Sequence, residues 1–270
     1  MKITSHEAEN RQLDPDSLAI AVRTLNDSGM LVLDGLYDPL WVDDLRRTFD
    51  ATLERERSRD GSPRVQATSG TGHTQMQVPL VAPFSDPAIV ANPIVLQVLS
   101  AVLGEDVHCA YYNSNAAAPG SSFQTVHRDA RPLFGSELAV PTPISSIVMN
   151  LPLCDFTEEN GSTEVWPGSH LIVDDPRHDT RTGLDARAAA LASTRFNVSA
   201  GAVALRDLRV WHRGMPNRSD RVRSMLAVVY QRSWLGWRAP SLRVPRATWE
   251  AWPEEVRSVF ALAPIEPGEM

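Results

Sequence analysis

In the N-terminal part of the chain, apolar residues recur every three to four positions, the spacing of helices with one buried face. Three such stretches each begin at an Asp-Pro pair, namely Asp14-Pro15, Asp38-Pro39 and Asp86-Pro87. A capping aspartate followed by proline in the first turn is a typical helix start. The pattern predicts a helical part over residues 1–105, with a short buried strand at Met30–Leu33 and a third helix over 86–103.

Residues 58–77 break this pattern, because glycine, serine and proline dominate their first half. A long irregular segment inside a compact domain is either a disordered connection or a functional lid. We predict a lid loop here, with the flexible connection as the alternative. His73, Gln75 and Gln77 are its candidates for contact with a ligand.

After Gly104 the apolar residues alternate or form short runs, which predicts β-strands. The predicted strands are 107–115, a strand around 127, 145–151, 162–166, 196–198, 202–206, 208–212 and 222–231. The Asn160-Gly161 pair predicts a hairpin that joins 145–151 to 162–166. Residues 171–195 form an excursion with a short helix at 185–192.

Many short strands that follow a helical part predict a mainly β fold with flanking helices, a cupin-like jelly roll. With 270 residues and 43% hydrophobic content, a single domain over residues 1–270 is expected. Its parts are the helical residues 1–105, a jelly-roll core at 106–232 and a helical C-terminal segment at 233–270.

Composition narrows the function classes. The formal net charge of −7 argues against a nucleic-acid partner, because no basic surplus neutralises phosphates. The two cysteines, Cys109 and Cys154, do not suggest a disulfide framework. The first residues lack the apolar run of a signal peptide, and no segment has the apolar length of a membrane span. A cytoplasmic protein without a membrane partner is expected.

The stretch from Gln124 to Asp129 contains a His-x-Asp motif, His127 and Asp129. In a β-strand, side chains two positions apart point to the same face. The two residues would then offer an imidazole nitrogen and a carboxylate oxygen to the same space. They are two of the three groups of the two-histidine, one-carboxylate site that binds non-haem Fe(II).

His212, at the end of an apolar run and before a polar turn, is the candidate third ligand. Alone it is more typical of a packed core residue. Combined with the His-x-Asp motif in a small β-barrel, it favours a metal site. The separation, 212 − 127 = 85 residues, allows several intervening strands.

Arg223 begins a predicted strand whose two faces are both largely apolar. A buried arginine needs an anionic partner, and a guanidinium suits a carboxylate through two parallel hydrogen bonds. A bound dicarboxylate and a salt bridge to a distant Asp or Glu are both compatible with this pattern. Arg221, on the same face and nearer the turn, is a rival.

These residues together resemble the phytanoyl-CoA dioxygenase family. The resemblance covers residues 20–235 and is carried by His127 and Asp129, the hairpin residues 159–162 that lead to 166–170, and His212 with Asn217 and Arg223.

The resemblance implies a double-stranded β-helix, Fe(II) held by His127, Asp129 and His212, and 2-oxoglutarate with O2 as co-substrate. In the family an arginine eleven residues after the third ligand binds the distal carboxylate. Here 223 − 212 = 11, which favours Arg223 over Arg221. Related halogenases lack the carboxylate ligand, so Asp129 argues for hydroxylation-type chemistry.

Within the family, residues 155–170 are similar to bacterial natural-product tailoring members such as kanamycin B dioxygenase and the orthoester-forming oxygenases. This similarity implies antibiotic biosynthesis and a sugar- or aminocyclitol-containing substrate that is hydroxylated, oxidised at an alcohol or cyclised. Asn113, Gln124 and Trp166 are further cofactor-binding candidates. Gln124 has two alternative roles, substrate contact and support of the metal ligands, and His170 is expected to be structural.

The expected partner is a small molecule, and the sequence leaves a homo-oligomer open. Substrate contacts are predicted from His73, Gln75, Arg131 and Phe134, with Glu137, Asp174 and Asp175 in the same segments. A terpenoid or other aliphatic acid is the alternative substrate. The alternative functions are a β-barrel binding module with a structural metal, and a cupin-type isomerase or hydrolase that needs no oxygen.

Overall fold

The computed structural model describes residues 1–59, 64–131, 133–134, 138, 140–173, 183–235 and 242–267. The helices are α1 Ser5–Asn10, α2 Pro15–Ser28, α3 Pro39–Ser58, α4 Pro87–Val90, α5 Pro93–Leu103, α6 Asp185–Ala188, α7 Arg246–Ala251 and α8 Glu254–Val259. The strands are β1 Met30–Leu33, β2 Val65–Ala67, β3 His73–Met76, β4 His108–Ala117, β5 Ser146–Pro152, β6 Glu164–Val165, β7 Thr194–Arg195, β8 Val203–Asp207, β9 His212–Arg213 and β10 Arg223–Gln231.

Two antiparallel sheets form the centre of the molecule. The larger has seven strands in the order β1-β8-β5-β10-β4-β3-β2, and the smaller has three in the order β7-β6-β9. Residues from both sheets line one cavity, so the sheets face each other. The predicted mainly β architecture with flanking helices is confirmed.

The large sheet is covered differently on its two faces, and β10 shows how. Leu226, Val228 and Tyr230 are buried in the main core, which also contains the apolar residues of α5. The Tyr230 hydroxyl donates to the carbonyl of Val90 over 2.9 Å. The alternate residues of β10, from Arg223 to Gln231, face the cavity. Burial of each large apolar side chain contributes about 1.5–3 kcal/mol, so helix packing stabilises one face and leaves the other for a ligand.

The third predicted helix is two helices, α4 and α5. The first ends at Val90 with Ala91 as its C-cap. Asn92 caps the second, since its side chain accepts hydrogen bonds from the backbone N–H groups of Ile94 and Val95. Pro93 follows in the first turn. The prediction of one helix over 86–103 is wrong because Asn92-Pro93 is itself a helix start.

The predicted lid loop contains two short strands, β2 and β3. β3 pairs with β4, from His73 opposite Ala117 to Met76 opposite Ser114, and β2 pairs with β3. Residues 60–63 lie outside the described part of the chain. The prediction of an irregular segment is wrong for 65–67 and 73–76, where short strands extend the large sheet, whereas residues 68–72 between them are irregular.

Two further predictions of local structure are wrong. Asn160-Gly161 lies in a turn, but this turn joins β5 of the large sheet to β6 of the small sheet and so makes no hairpin. The predicted strand 208–212 is reduced to β9, because residues 208–210 form a turn. In that turn the guanidinium of Arg209 pairs with the buried carboxylate of Asp207 over 2.6 Å.

The N-terminal helix α1 is attached to α2 by the buried carboxylate of Glu7. It accepts hydrogen bonds from the backbone N–H and hydroxyl of Thr4, each at 2.9 Å, and from the backbone N–H of Asp14 at 3.2 Å. Burial alone would raise the pKa of Glu7, but the hydrogen bonds from Thr4, Ser17 and Asp14 outweigh it and lower the pKa to about 2.

We expect Glu7→Gln to be less stable than wild type by about 2 kcal/mol near neutral pH, because it loses charge-assisted hydrogen bonds. A carboxyl whose pKa falls on folding contributes its stability above its unfolded pKa and loses it at lower pH. The difference should therefore shrink as pH falls from about 4.5 towards 2, as measured by urea unfolding. Glu9→Gln, exposed on the same helix, is the matched control. A deficit that did not change with pH would contradict the ionic role.

Candidate functional site

A cavity of about 670 Å³ lies between the two sheets. The side chains of His127, Asp129, His212 and Arg223 all line it. Its floor comes from β4, β5 and β10 of the large sheet. Cavities of this size are typical of small-molecule sites.

His127, Asp129 and His212 bring their ligand atoms within 4.8 Å of one another. Asp129 Oδ1 lies 3.9 Å from His127 Nε2, and Asp129 Oδ2 lies 3.6 Å from His212 Nε2. The two histidines are adjacent because their backbones exchange hydrogen bonds of 3.0 and 2.9 Å in an antiparallel bridge. This single bridge, rather than a full strand at 127, unites residues that are 85 positions apart.

Backbone carbonyls orient both imidazoles. The Nδ1 of His127 lies 2.9 Å from the carbonyl of Thr125, and the Nδ1 of His212 lies 3.0 Å from the carbonyl of Val210. A carbonyl only accepts, so each Nδ1 donates its hydrogen, and each Nε2 is left with a lone pair towards Asp129. A fixed tautomer of this kind is the usual arrangement of a histidine that binds a metal.

Arg206 on β8 adds a contact that the sequence analysis missed. Its guanidinium donates to Asp129 Oδ2 over 2.6 Å and lies 3.2 Å from His212 Nδ1. Burial would raise the pKa of Asp129, but His212, Arg206 and His127 hold it well below its usual range. Burial and the charge of Arg206 lower the pKa of His212. An ionised carboxylate beside a neutral imidazole is the state that binds a metal cation.

Arg223 lies at the start of β10 and is 3% exposed. Its guanidinium is 4.8 Å from the ring of Phe156, and its Nε has no hydrogen-bond partner. Within the part of the chain that the structure describes, no carboxylate forms an ion pair with it. Burial lowers the pKa of Arg223 to about 10, so the side chain stays charged. Arg221, the rival, is exposed and does not line the cavity.

Four other predicted residues, namely His73, Gln75, Asn113 and Gln124, line the cavity. His73 is buried, with Nε2 2.7 Å from the carbonyl of Ser122, and Gln75 donates to Asn115 over 3.1 Å. Asn113 is also buried, and its amide makes one long contact of 3.5 Å with the Tyr111 hydroxyl. These polar groups face the space between the metal-site candidates and the large sheet.

Gln124 lines the cavity but its amide binds the protein itself. It accepts from the backbone N–H of Gly214 over 2.7 Å and donates to Thr68 over 3.1 Å. It therefore joins the chain before His127 to the chain after His212, which fits the alternative of support for the metal ligands. Gly214 leaves no room for a Cβ, which would lie 2.7 Å from the Gln124 carbonyl oxygen.

Several predicted residues lie elsewhere. Trp166 donates to the carbonyl of Ala188 over 3.0 Å in a separate apolar cluster, away from the cavity. Arg131 and Phe134 are exposed and do not line the cavity, and neither does the exposed Gln77. Glu137, Asp174 and Asp175 lie outside the described residues. His170 is buried beneath α2, with Nε2 3.1 Å from the carbonyl of Asn26, as a structural residue would be.

Comparison with curated proteins identifies dioxygenases as relatives. The chain is 27% identical over 161 residues to the dioxygenase trt7 of Aspergillus terreus, a match that covers 56% of this chain and 54% of that protein. It is 28% identical over 177 residues to the dioxygenase aneA of Aspergillus aculeatus, with 63% and 56% covered. The matched part thus spans little more than half the length of these relatives.

The fold is shared with solved enzymes of natural-product biosynthesis. The carbocyclase SnoK from nogalamycin biosynthesis, described as non-haem and α-ketoglutarate dependent, superposes with a TM-score of 0.62 at 20% identity, covering 84% of this chain and 86% of that one. The epimerase SnoN, solved with Fe3+, α-ketoglutarate and a nogalamycin compound, gives 0.63 at 16%, covering 82% and 85%. At these identities the likeness shows the fold.

None of the described helices combines the length and apolar character needed to cross a membrane. The sequence model of the phytanoyl-CoA dioxygenase family matches residues 25–225, which is most of the chain. The matched part includes His127, Asp129, His212 and Arg223. The chain belongs to the phytanoyl-CoA dioxygenase family.

Proposed function

We propose that this protein is an Fe(II)- and 2-oxoglutarate-dependent oxygenase that oxidises an unactivated C–H bond of a small molecule. The observation that carries the proposal is the convergence of His127, Asp129 and His212 on one point of the cavity wall. Two histidines and one carboxylate suit ferrous iron. They would bind the metal from one side, so its other coordination positions would be open towards the cavity.

The residues present fit the metal. Both histidines offer Nε2 in the tautomer that their carbonyl partners set, and Arg206 keeps the Asp129 carboxylate in place and ionised. When bound there, iron would couple O2 reduction and the conversion of 2-oxoglutarate to succinate and CO2 to insertion of one oxygen atom into the substrate C–H bond. The protein supplies three ligands and orients them.

The cavity also fits the cosubstrate. Arg223 is a buried guanidinium with no carboxylate partner among the described residues, and a dicarboxylic acid would satisfy it. Asn113 lines the same cavity between Arg223 and the far end of β10, and its amide has hydrogen-bonding capacity for the 2-oxo acid. We assign the distal carboxylate to Arg223 and the polar contacts nearer the metal to Asn113.

For the substrate we carry two classes forward. One is the sugar- or aminocyclitol-containing natural product implied by the sequence resemblance, and the other is a terpenoid or other aliphatic acid. Hydroxylation, alcohol oxidation and oxidative ring closure are the candidate outcomes. The solved neighbours from nogalamycin biosynthesis support natural-product biosynthesis as the setting, and the dioxygenase names of the relatives support the reaction class.

Two other functions make different predictions. A structural metal in a binding module would be enclosed by protein ligands, whereas these three ligands border a cavity. A cupin-type isomerase or hydrolase would need no oxygen. Oxygen uptake and succinate formation therefore separate all three.

We expect anaerobic addition of Fe(II) and 2-oxoglutarate to produce a visible charge-transfer absorption that neither compound produces with the protein alone. On exposure to air the complex should consume oxygen and release succinate, slowly without substrate and faster with it. Zn2+ in place of Fe(II) is the control, since it fills the same ligands without redox chemistry. Metal binding without the visible band or oxygen uptake would contradict the oxygenase and favour the binding module.

A further inference from the structure

The cavity has two chemically different halves. Ala227 on β10 lies opposite Asn113 on β4 and opposite Asn150 on β5, so these three residues form a row across three neighbouring strands. On one side of this row β10 leads to Arg223, with His73 and Gln75 on β3. On the other side it leads to Val229 and Gln231.

The half beyond the row is walled largely by hydrocarbon, with Gln231 and the hydroxyl of Tyr111 as its polar groups. Val148, Leu208, Ala227 and Val229 form a separate buried apolar cluster, against which Tyr111 packs. The four members of the cluster are each 9% exposed or less, yet they and Tyr111 all line the cavity. This cluster is not part of the main core, so its exposed atoms face ligand space rather than other side chains. A sugar placed here would lose water from more hydroxyl groups than these few polar side chains could satisfy.

This apolar half begins directly beside the metal-site candidates. The backbone N–H groups of Asp129 and Ala130 both donate to the carbonyl of Leu208, over 2.8 and 3.0 Å. Ala130 packs against the same cluster. A molecule seated here therefore presents its hydrocarbon to the side of the site that Asp129 borders, while Arg223 lies at the opposite end of β10.

The chain around this end also exposes apolar side chains. The segment after β10 is tied to the segment before β5, since Arg232 donates to the carbonyls of Ile144 and Ser145. Val140 and Trp234, one in each segment, are each 54% exposed.

We propose that this half-cavity binds the ring-containing hydrocarbon body of a substrate with few polar groups, such as a fused-ring terpenoid or steroid-like molecule. Among the described residues, the amide of Asn150, which lies opposite Ala227 and lines the cavity, has no hydrogen-bond partner. It would bind a single carbonyl or hydroxyl group of the substrate. This inference rests on the proposed function for its chemistry. Of the two substrate classes carried forward, it favours the terpenoid class over the sugar-containing class.

The test is equilibrium dialysis of the metal-free protein against progesterone, abietic acid and kanamycin B, which separates binding from catalysis. We expect at least one of the two hydrocarbon probes to bind and kanamycin B to bind at least tenfold more weakly. Val229→Asn, which makes the wall polar, and Ala227→Leu, which fills it, should each weaken hydrocarbon binding about tenfold or more. Val81→Asn makes the same change on the surface and should have no effect.

Tighter binding of kanamycin B, no binding of either hydrocarbon, or hydrocarbon binding that neither variant weakens would each overturn the proposal. The visible band with Fe(II) and 2-oxoglutarate checks that each variant keeps an intact site. Hydrocarbon binding in a protein that never shows this band would overturn the proposed function and leave the substrate proposal standing.

Discussion

Asp129→Ala and His212→Ala should each weaken Fe(II) binding about a hundredfold or more and reduce succinate formation to background. Loss of a residue that merely orients a metal ligand costs about 10–100-fold, and loss of a ligand should cost at least the upper value. Asp129→Ala has a second effect, because Asp129 is the ion-pair partner of Arg206 at 2.6 Å. Without Asp129, the guanidinium charge of Arg206, 3.2 Å from His212 Nδ1, would no longer be balanced and would repel the cation.

The measurement is iron content after anaerobic loading and desalting, together with the Fe(II) titration of the visible band. Asp44→Ala and His6→Ala are matched controls, since both residues are exposed and far from the cavity lining. Urea unfolding without metal shows whether each variant is folded. Normal iron content in both ligand variants, with folding intact, would refute the assignment of the site.

Local chemistry explains which helices could be predicted. Asp14, Asp38 and Asp86 each precede a proline, and a helix begins at each of these prolines. Such starts depend on neighbouring residues alone, so they are visible in sequence. The break at Asn92 carries the same signal, yet the continuous apolar pattern from 87 to 103 conceals it.

The strands β2 and β3 could not be predicted from hydrophobic alternation. His73 and Gln75 face the cavity, and only Met76 is a buried apolar residue of this strand. The sequence of β3 is therefore mostly polar and resembles that of a loop. Its pairing with β4 depends on tertiary contacts. For Arg131 and Phe134 the sequence misleads in the opposite direction. Both are close in sequence to Asp129, but both side chains are exposed and neither lines the cavity.

Arg206 and Arg223 show which features of the site the sequence alone cannot predict. Both are arginines in buried strands, and the sequence signal is the same for each. Only the structure distinguishes them, because Arg206 reaches Asp129 whereas Arg223 has no carboxylate partner among the described residues. The identity of a partner across sheets depends on register, which no local pattern specifies.

That difference leads to the second large effect, expected at Arg223. Arg223→Ala removes a buried, charge-assisted contact worth roughly 1.5–3 kcal/mol, so the apparent affinity for 2-oxoglutarate should fall about ten- to a hundredfold. Fe(II) binding should survive, because Arg223 contacts none of the three metal-ligand candidates. Asp129→Ala and Arg223→Ala therefore predict opposite patterns, loss of metal in one and loss of cosubstrate in the other.

Arg223→Lys keeps the charge but not the planar pair of donors, so its affinity for 2-oxoglutarate should lie between those of wild type and Arg223→Ala. Arg221→Ala, two positions earlier and exposed, is the matched control and should bind 2-oxoglutarate as wild type does. Titration of the visible band at saturating Fe(II) measures all four proteins. If Arg221→Ala lost affinity while Arg223→Ala kept it, the carboxylate would lie at the surface turn, and the unpaired charge in the cavity would need another anion.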